Sequence, residues 1–194
     1  RSTLFPYTTL FRSERCVPAA TGASHRGGDA APTPILAVKE LLRRGRIVAI
    51  KSLGGFHLAC DPLNAEAVAR LRDRKHRPHK SFAVMFRDIA AVKKYCEVGE
   101  TEEAELLSAA RPVVVLKSNT PTLQHSISPD THTIGAFLPY TPLHHLLMQH
   151  FDVLVMTSGN LSEEPIASEE AELPAIADAV LTHDRHIVIG RAHV

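Results

Sequence analysis

The sequence predicts an α/β protein in which helices pack against a β-sheet. Runs rich in β-branched residues, such as RIVAIK (Arg46–Lys51) and DVLVMT (Asp152–Thr157), predict buried strands. Helical segments with clear start signals separate these runs, and Asn64 and Thr141 stand where their side chains would cap helix N-termini. This alternation is typical of a sheet with helices packed on it.

The first part of the chain predicts one helix and two strands. Thr33 as N-cap and Pro34 at the first helical position predict a helix that Gly45 closes. The strand Arg46–Lys51 follows it. The glycine loop SLGG then leads to a second short strand around Phe56–Cys60.

The middle of the chain continues this pattern. Asn64 caps a helix that runs through Arg74, and SFAVMF (Ser81–Phe86) predicts a strand. Two further helices are predicted to start at Asp88 and Thr101.

The last part again predicts strands and one capped helix. PVVVLK (Pro112–Lys117) is a continuous β-branched run, which is typical of a strand buried on both faces. A long polar loop separates it from IGAFL (134–138), after which Thr141 caps the helix PLHHLLMQH. The strand Asp152–Thr157 follows, and helix, strand and HDRHIV (183–188) alternate to the end.

Length and composition exclude several classes of protein. The chain has 194 residues, enough for one ordinary domain, with 44% hydrophobic and 22% charged residues. No apolar run approaches the roughly 20 residues that a membrane span needs. Three widely spaced cysteines (Cys16, Cys60, Cys96) argue against a disulfide framework or a zinc site, so we expect a reducing, cytoplasmic setting and no membrane partner.

The two ends differ from the middle of the chain. Residues 1–13 and 189–194 resemble translated sequencing-adapter oligonucleotides, and 14–34 has the composition of a linker or of the remnant of a preceding domain. We therefore expect one domain over 35–188. The two suspect ends hold three arginines and no acid, so without them Lys+Arg falls from 22 to 19 against 21 acids, and the net charge changes from +1 to −2.

The first segment that indicates chemistry follows the strand ending at Lys51. Gly54 and Gly55 would let backbone N–H groups approach a phosphate closely, and Lys51 would supply the counter-charge. An ordinary tight turn is the alternative, and for so short a motif it is the simpler explanation.

The second segment, 72–80, holds five fixed cations and two histidines in nine positions at a helix end. Because Arg77 precedes Pro78, the helix should stop there and leave the cations in a loop. Such a cluster can hold a triphosphate. A solvated helix end, whose cations complement the helix dipole, is the alternative.

The third segment follows the buried strand that ends at Thr157. It offers hydroxyls, an amide and carboxylates where α/β proteins bind ligands, beyond the carboxyl end of a strand. The residues are Thr157, Ser158, Asn160 and Ser162, followed by two glutamates. A plain strand-to-helix connection is the alternative.

Histidine is abundant, with 12 copies. Adjacent His144 and His145 would point about 100° apart on a helix, and no spacing makes a recognisable metal site, so no metal ligand is predicted. His57 and His144 are predicted to line the pocket that these segments form, or else to be satisfied polar residues beside the core.

The order of these segments resembles the YrdC-like domain of the HypF carbamoyltransferases. The resemblance rests on IVAIKSLGGFHLACD, LRDRKHRPHKSFAVM, IGAFLPYTPLHHLLM, VMTSGNLSEEPI and ADAVLTHDRHI. Lys75, Arg77, Ser158 and Asn160 match the K-x-R and S-x-N signature of the wider family. The resemblance implies a twisted mixed sheet with flanking helices.

The resemblance also implies an activity. ATP with Mg²⁺ and carbamate, derived from carbamoyl phosphate, would give carbamoyl-adenylate. A separate domain would pass the carbamoyl group to a HypE-type acceptor protein as the cyanide ligand precursor of [NiFe] hydrogenases. Lys75, Arg77, Ser158 and Asn160 would then be catalytic. The phosphate-binding residues would be Lys51, Gly54, Gly55, Lys80, Thr157 and Ser162.

Two alternatives stay open. One is a threonylcarbamoyl-AMP synthase-like enzyme, and the other is a double-stranded RNA-binding module that uses the 72–80 cluster. Ser52 stands where the family usually has Gly, and a positive φ there would cost about 1 kcal/mol or more. Ser81 stands where the family usually has Pro.

Overall fold

The computed structural model describes residues 15–18, 33–161, 164–170, 173 and 176–183. Within these ranges the chain forms eight strands and six helices. In chain order they are β1 (Arg15–Pro18), α1 (Pro34–Arg43), β2 (Val48–Lys51), β3 (Phe56–Cys60), α2 (Ala65–Arg74), β4 (Ala83–Phe86), α3 (Ile89–Tyr95), α4 (Glu100–Leu107), β5 (Val114–Lys117), α5 (Pro121–Ile127), β6 (Thr133–Phe137), α6 (Pro142–Met148), β7 (Val153–Ser158) and β8 (Ala179–Thr182).

All eight strands belong to one mixed sheet, in the order β1-β8-β2-β3-β7-β4-β6-β5. The pairs β2/β8 and β4/β6 are parallel, and the other neighbours are antiparallel. The predicted mixed sheet with flanking helices is confirmed. In the central β3/β7 pair, His57 lies opposite Ser158, so these two side chains share one face of the sheet.

Apolar side chains cover the two faces of the sheet unequally. One face packs against α2, α3, α4 and α5, through residues such as Leu71, Val92 and Leu106. Among the described elements, α1 and α6 are the helices that pack on the other face, through residues such as Leu42 and Leu147. These two helices leave the second face open over β5 and β6, and the candidate site lies along this open part.

Capping side chains fix the helix starts as the sequence predicts. The side chains of Asn64, Asp88 and Thr141 accept hydrogen bonds from backbone N–H groups in the first turns of α2, α3 and α6. Gly45 follows α1 with φ +70°, a conformation that favours glycine at a helix end. Helix α4 starts at Glu100, one residue before the predicted start at Thr101.

The prediction that Pro112–Lys117 is buried on both faces is wrong. In the described part of the chain, the strand β5 lies at the edge of the sheet and pairs with β6 alone. Val113 and Val115 are 55% and 66% exposed, because none of the six described helices covers this end of the second face. A β-branched run therefore marks a strand here without marking its depth.

Smaller differences concern where strands begin and which further segments form elements, and β4 and β5 start at Ala83 and Val114, two residues after the predicted starts. The strand β2 begins at Val48 rather than Arg46. The long polar loop predicted before β6 contains α5, which starts with proline at its first turn. The strand β1 lies within the stretch 14–34 that we predicted as a linker or a remnant. The end segments 1–13 and 189–194, and residues 184–188 of the predicted HDRHIV segment, lie outside the described residues. In the described part of the chain, no helix has the length and apolar character needed to cross a membrane.

Candidate functional site

The loop that follows α2 and the loop that follows β7 enclose a cleft of about 550 Å³, which we call the basic cleft. The loop after α2 supplies most of its charge, and the loop after β7 supplies hydroxyl, amide and carboxylate groups. The lining residues are Lys75, His76, Arg77, Pro78, His79, Lys80, Ser158, Asn160, Leu161 and Glu164. The structure thus brings the second and third candidate segments together.

Lys75 is a buried cation at the base of this cleft, with 1% of its surface exposed. Its ammonium donates to the carbonyl oxygens of Ser158 and Asn160, both at 2.6 Å, and to Oδ1 of Asn160 at 2.8 Å. Burial, with a further contribution from Arg77 and Lys80, lowers the pKa of Lys75 from 10.5 to about 8. These contacts favour a positioning role, because the ammonium holds the β7 loop against α2.

Arg72 organises the cationic loop from behind. Its guanidinium donates to the carbonyl oxygens of Ser126, Arg77, Pro78 and Lys80 over 3.0 to 3.3 Å. The same guanidinium lies 4.5 Å over the Phe82 ring. This role was not predicted. The sequence shows the arginine as one of a cluster, and only the fold shows which members turn inward.

The remaining cations of the cluster divide between the cleft and the outside. Arg74 pairs with Asp178 at 2.9 Å, away from the cleft. Arg77 donates to the carbonyl of Ser81 at 3.0 Å, and its Nε is buried without a hydrogen-bond partner in the described chain. Lys80 is exposed at the cleft rim. Arg77 and Lys80 are therefore the cations best placed to meet an anion directly.

A second cleft of about 380 Å³ lies beside the basic cleft on the open face of the sheet, and we call it the hydroxyl cleft. Arg77 and Ser158 line both clefts. The other lining residues are Ser81, Phe82, Ala83, Val113, Val115, Ser128, Thr131, Thr133, Gly135, Met156 and Thr157.

Hydroxyl groups form a chain along this second cleft. Ser81 Oγ and Ser128 Oγ are 2.5 Å apart, Ser128 Oγ and Thr131 Oγ1 are 2.9 Å apart, and Thr131 and Thr133 follow at 3.1 Å. Ser81, the departure from the family pattern, is thus part of the site. Three of these residues were not predicted, although the density of Ser and Thr before β6 is a visible signal.

The β7 loop makes a tight turn at its S-G-N sequence. Ser158 Oγ donates to Asn160 Oδ1 at 2.6 Å, which fixes the two signature side chains relative to each other. Gly159 sits so close to β3 that a Cβ would lie 2.7 Å from the carbonyl oxygen of Phe56. Glycine is needed here for close approach, a role that the sequence analysis missed. Thr157 is buried and lines the hydroxyl cleft, whereas Ser162 lies outside the described residues.

The glycine loop after β2 has a different environment. Lys51 Nζ donates to the carbonyl of His183 at 3.0 Å, at the end of β8. Gly55 has φ +147° and packs against Ile166, whereas Gly54 has open space around it. None of these three predicted phosphate-binding residues lines either cleft. Ser52 does not have positive φ, so the expected strain does not arise.

His57 and His144 lie near each other beside the site, with ring centroids 6.1 Å apart. His57 is half-buried on β3, and His144 is fully buried on α6. Burial lowers the pKa of His57 to about 4 and that of His144 to about 3, so both rings are neutral at pH 7. His57 Nδ1 and both His144 nitrogens have no hydrogen-bond partner among the described residues.

A family model named Sua5/YciO/YrdC and described as telomere recombination matches residues 40–192. The chain belongs to this family. The match extends four residues into the segment 189–194 that we predicted to be adapter-derived. Among the described residues, no cluster of three or more metal-ligating side chains was found.

Several relatives of the chain within this family are HypF carbamoyltransferases. The chain is 42% identical to carbamoyltransferase HypF2 of Cupriavidus necator over 177 residues and 48% identical to HypF of Rhodobacter capsulatus over 151 residues. These matches cover 80% and 75% of this chain but only 22% and 20% of the relatives. The chain therefore spans about a fifth of their length.

One solved structure shares the fold of this chain, and one more distant relative has a different named activity. A full-length HypF crystal structure in a phosphate- and nucleotide-bound form superposes with a TM-score of 0.81 at 46% identity, over 91% of this chain and 23% of that one. A threonylcarbamoyl-AMP synthase of Hydrogenovibrio crunogenus is 27% identical, over 74% of this chain and 85% of its own length.

Proposed function

We propose that this domain forms carbamoyl-adenylate from carbamate and ATP. The observation that carries the proposal is the pair of adjoining clefts that share Arg77 and Ser158. The basic cleft suits a triphosphate, and the hydroxyl cleft, with its apolar floor at Val113 and Val115, suits a nucleoside. The shared residues then lie where the α-phosphate joins the two parts.

The chemistry needs alignment and charge neutralisation rather than a covalent nucleophile. A carboxylate oxygen of carbamate attacks the α-phosphorus and forms a P–O bond, while the bond to the β-phosphate oxygen breaks and pyrophosphate leaves. Arg77 is placed to stabilise the charge that develops on the α-phosphate oxygens. Lys75 keeps Ser158 and Asn160 in position for the same group.

Magnesium enters this scheme as the MgATP complex, whose phosphates supply most of the metal ligands. The residues fit this arrangement, because Glu164 and Asn160 line the basic cleft with oxygen atoms while the cations lie on the α2 side.

The relatives support the wider assignment. HypF proteins are carbamoyltransferases, and one of them has been solved with phosphate and nucleotide bound. We propose that this chain is the adenylate-forming part of such an enzyme. The carbamate would derive from carbamoyl phosphate, and the transfer to a HypE-type acceptor, which yields the cyanide ligand precursor, would require further parts of the protein.

Carbamate-dependent exchange between ATP and pyrophosphate tests the adenylation step. Arg77→Ala should lower this exchange by about 30-fold to 1,000-fold, the loss expected for about 2 to 4 kcal/mol of transition-state stabilisation. Arg44→Ala is the matched control, because Arg44 is exposed just after α1 and forms a surface pair with Glu40. Exchange that survives in Arg77→Ala would contradict the assignment.

Exchange with other substrates, together with RNA-binding and thermal-shift measurements, separates the alternatives. Exchange that depends on L-threonine with bicarbonate, and not on carbamate, would support the synthase-like activity of the 27% identical relative. Salt-sensitive RNA binding without a thermal shift on adding MgATP would instead support the RNA-binding alternative.

A further inference from the structure

The histidine pair, His57 and His144, keeps unused hydrogen-bonding capacity in a buried place. His144 is 0% exposed and neither of its ring nitrogens has a partner within the described chain. Tyr140 packs edge-on against the His144 ring at 4.5 Å and shields it from solvent. Buried polar atoms are usually hydrogen-bonded, and a group that is not needs an explanation such as a catalytic or binding role.

His57 neighbours Ser158, the residue that lines both clefts, although neither histidine is itself among the lining residues of the two clefts. His57 lies directly opposite Ser158 in the β3/β7 ladder, and directly opposed residues have Cβ atoms roughly 4.5 to 5.5 Å apart on the same face. Ser158 lines both clefts. The half-buried His57 is therefore beside the position proposed for the α-phosphate, and His144 lies behind it.

The cations that line the basic cleft are donors and not acceptors for an amino group. Lysine and arginine side chains carry donors only, so Lys75 and Arg77 cannot accept a hydrogen bond from a carbamoyl NH₂. Asn160 Oδ1 already accepts from Lys75 and from Ser158. A neutral imidazole can present an acceptor nitrogen to the amino group of a carbamoyl unit or, in its other tautomer, an N–H donor to the carbonyl oxygen.

We propose that His57 contacts the carbamoyl end of the substrate and that His144 is a positioning residue that orients the His57 ring. This inference rests on the proposed function and names the part of the site that selects the acyl substrate. In this arrangement the cations bind the phosphates, and the uncharged histidine pair recognises the carbamoyl group. His144 acts through His57, because its own nitrogens are sealed from solvent.

Calorimetric titration of the 194-residue chain tests this division. The two ligands are AMP and a carbamoyl-adenylate analogue in which a CH₂ group replaces the oxygen between phosphorus and the carbamoyl carbon. The wild-type chain should bind the analogue at least about 10-fold more tightly than AMP, the factor of one good hydrogen bond. His57→Phe should bind both ligands equally and keep its AMP affinity within about twofold.

Two further variants separate contact from positioning. His57→Gln, which keeps a donor and an acceptor, should recover part of the preference for the analogue. His144→Phe should reduce the preference in the wild-type background and change nothing further in the His57→Phe background, because it acts through the same residue. Unchanged AMP affinity shows that each variant keeps a folded site.

Different failures have different meanings. A wild-type chain that binds AMP and the analogue equally, or a His57→Phe variant that keeps the preference, would overturn the inference while nucleotide binding stands. A wild-type chain that binds neither ligand would overturn the proposed function and the inference with it.

Discussion

The basic cleft and the histidine pair both adjoin Ser158, yet they are organised in opposite ways. In the basic cleft, Lys75 and Arg72 direct their N–H groups at backbone oxygens of the two loops. In the histidine pair, the buried nitrogens have no partner in the described part of the chain. The cations of the basic cleft are thus held in position before any ligand binds. The histidine nitrogens, proposed to recognise an uncharged group, are buried without a partner among the described residues, and this lowers stability.

Gly159 joins the two regions, and its substitution should have the largest effect. In Gly159→Ala the added Cβ would meet the Phe56 carbonyl oxygen at 2.7 Å, so the loop must move away from β3. This displaces both Ser158 and the backbone oxygens that hold Lys75. We expect AMP and analogue affinities to fall together by about 100-fold or more in calorimetric titration, the scale of losing preorganised donors.

Gly54→Ala is the matched control for this substitution, because a Cβ at Gly54 has no atom within 4 Å. It should bind both ligands like the wild-type chain. A Gly159→Ala variant that loses only one of the two ligands would show that the cleft and the histidine pair are positioned separately.

The order of the elements could be predicted from sequence because it depends on local signals. The caps at Asn64 and Thr141 and the β-branched run of β7 each act within a few residues, and each formed as predicted. The depth of β5 could not be predicted in this way. Its burial depends on which helices cover the second face, and that is decided by long-range packing.

The candidate site divides along the same line. The cationic cluster was visible because its members are adjacent in sequence, although its division into a scaffold (Arg72), a loop anchor (Lys75) and cleft-facing cations (Arg77, Lys80) depends on the fold. The histidines were singled out only as pocket lining. Their pairing needs two segments far apart in sequence, and so does the contact that makes Gly159 necessary.

Arg72 tests how far the frame itself supports the basic cleft. Arg72→Ala removes hydrogen bonds to four backbone carbonyls and should lower the free energy of unfolding by about 2 to 3 kcal/mol in urea denaturation. Arg72→Lys should recover little, because an ammonium lacks the planar fork that reaches several carbonyls at once. The exposed Arg44→Ala should change stability by less than about 1 kcal/mol. Full recovery by lysine would mean that charge alone holds the loop.

His144→Phe tests how much stability the two buried nitrogens of the His144 ring cost the fold. Removing two buried nitrogens that have no partner among the described residues should raise the free energy of unfolding at pH 7 by about 1 to 2 kcal/mol. The same ring change at the exposed His145 should not stabilise the fold. A destabilised His144→Phe variant would indicate that the ring has a structural hydrogen bond to satisfy.

The pH dependence of that effect follows from the lowered pKa of His144, about 3 in the fold against 6.5 as its ordinary value. Below pH 6.5 the unfolded chain takes up a proton that the folded chain does not, so stability falls as the pH drops towards 4. The slope from this group approaches about 1.4 kcal/mol per pH unit. In His144→Phe the slope should fall by this amount, leaving the contribution of His57. An unchanged slope would place the titration elsewhere.

The smallest predicted effect is a proton taken up by the basic cleft when ATP binds. Burial and the neighbouring cations Arg77 and Lys80 lower the pKa of Lys75 to about 8. At pH 8.5 a fraction of the Lys75 side chains is therefore deprotonated to the neutral amine. A bound polyanion offsets the repulsion and raises that pKa again, which requires uptake of a fraction of a proton. Calorimetry at pH 8.5 in buffers of different ionisation enthalpy measures this uptake, since ATP itself is then fully deprotonated.

Lys80→Met sharpens this measurement, because Lys80 is exposed and its removal leaves the fold intact. Without this cation the pKa of Lys75 in the free protein is higher, so less of the ammonium is neutral at pH 8.5 and the uptake should decrease. His57→Phe should leave the uptake unchanged, because the histidine pair takes no part in charge recognition. Uptake that disappears in His57→Phe would contradict the division between the two regions, and equal uptake in Lys80→Met would mean that Lys75 is not the group that titrates.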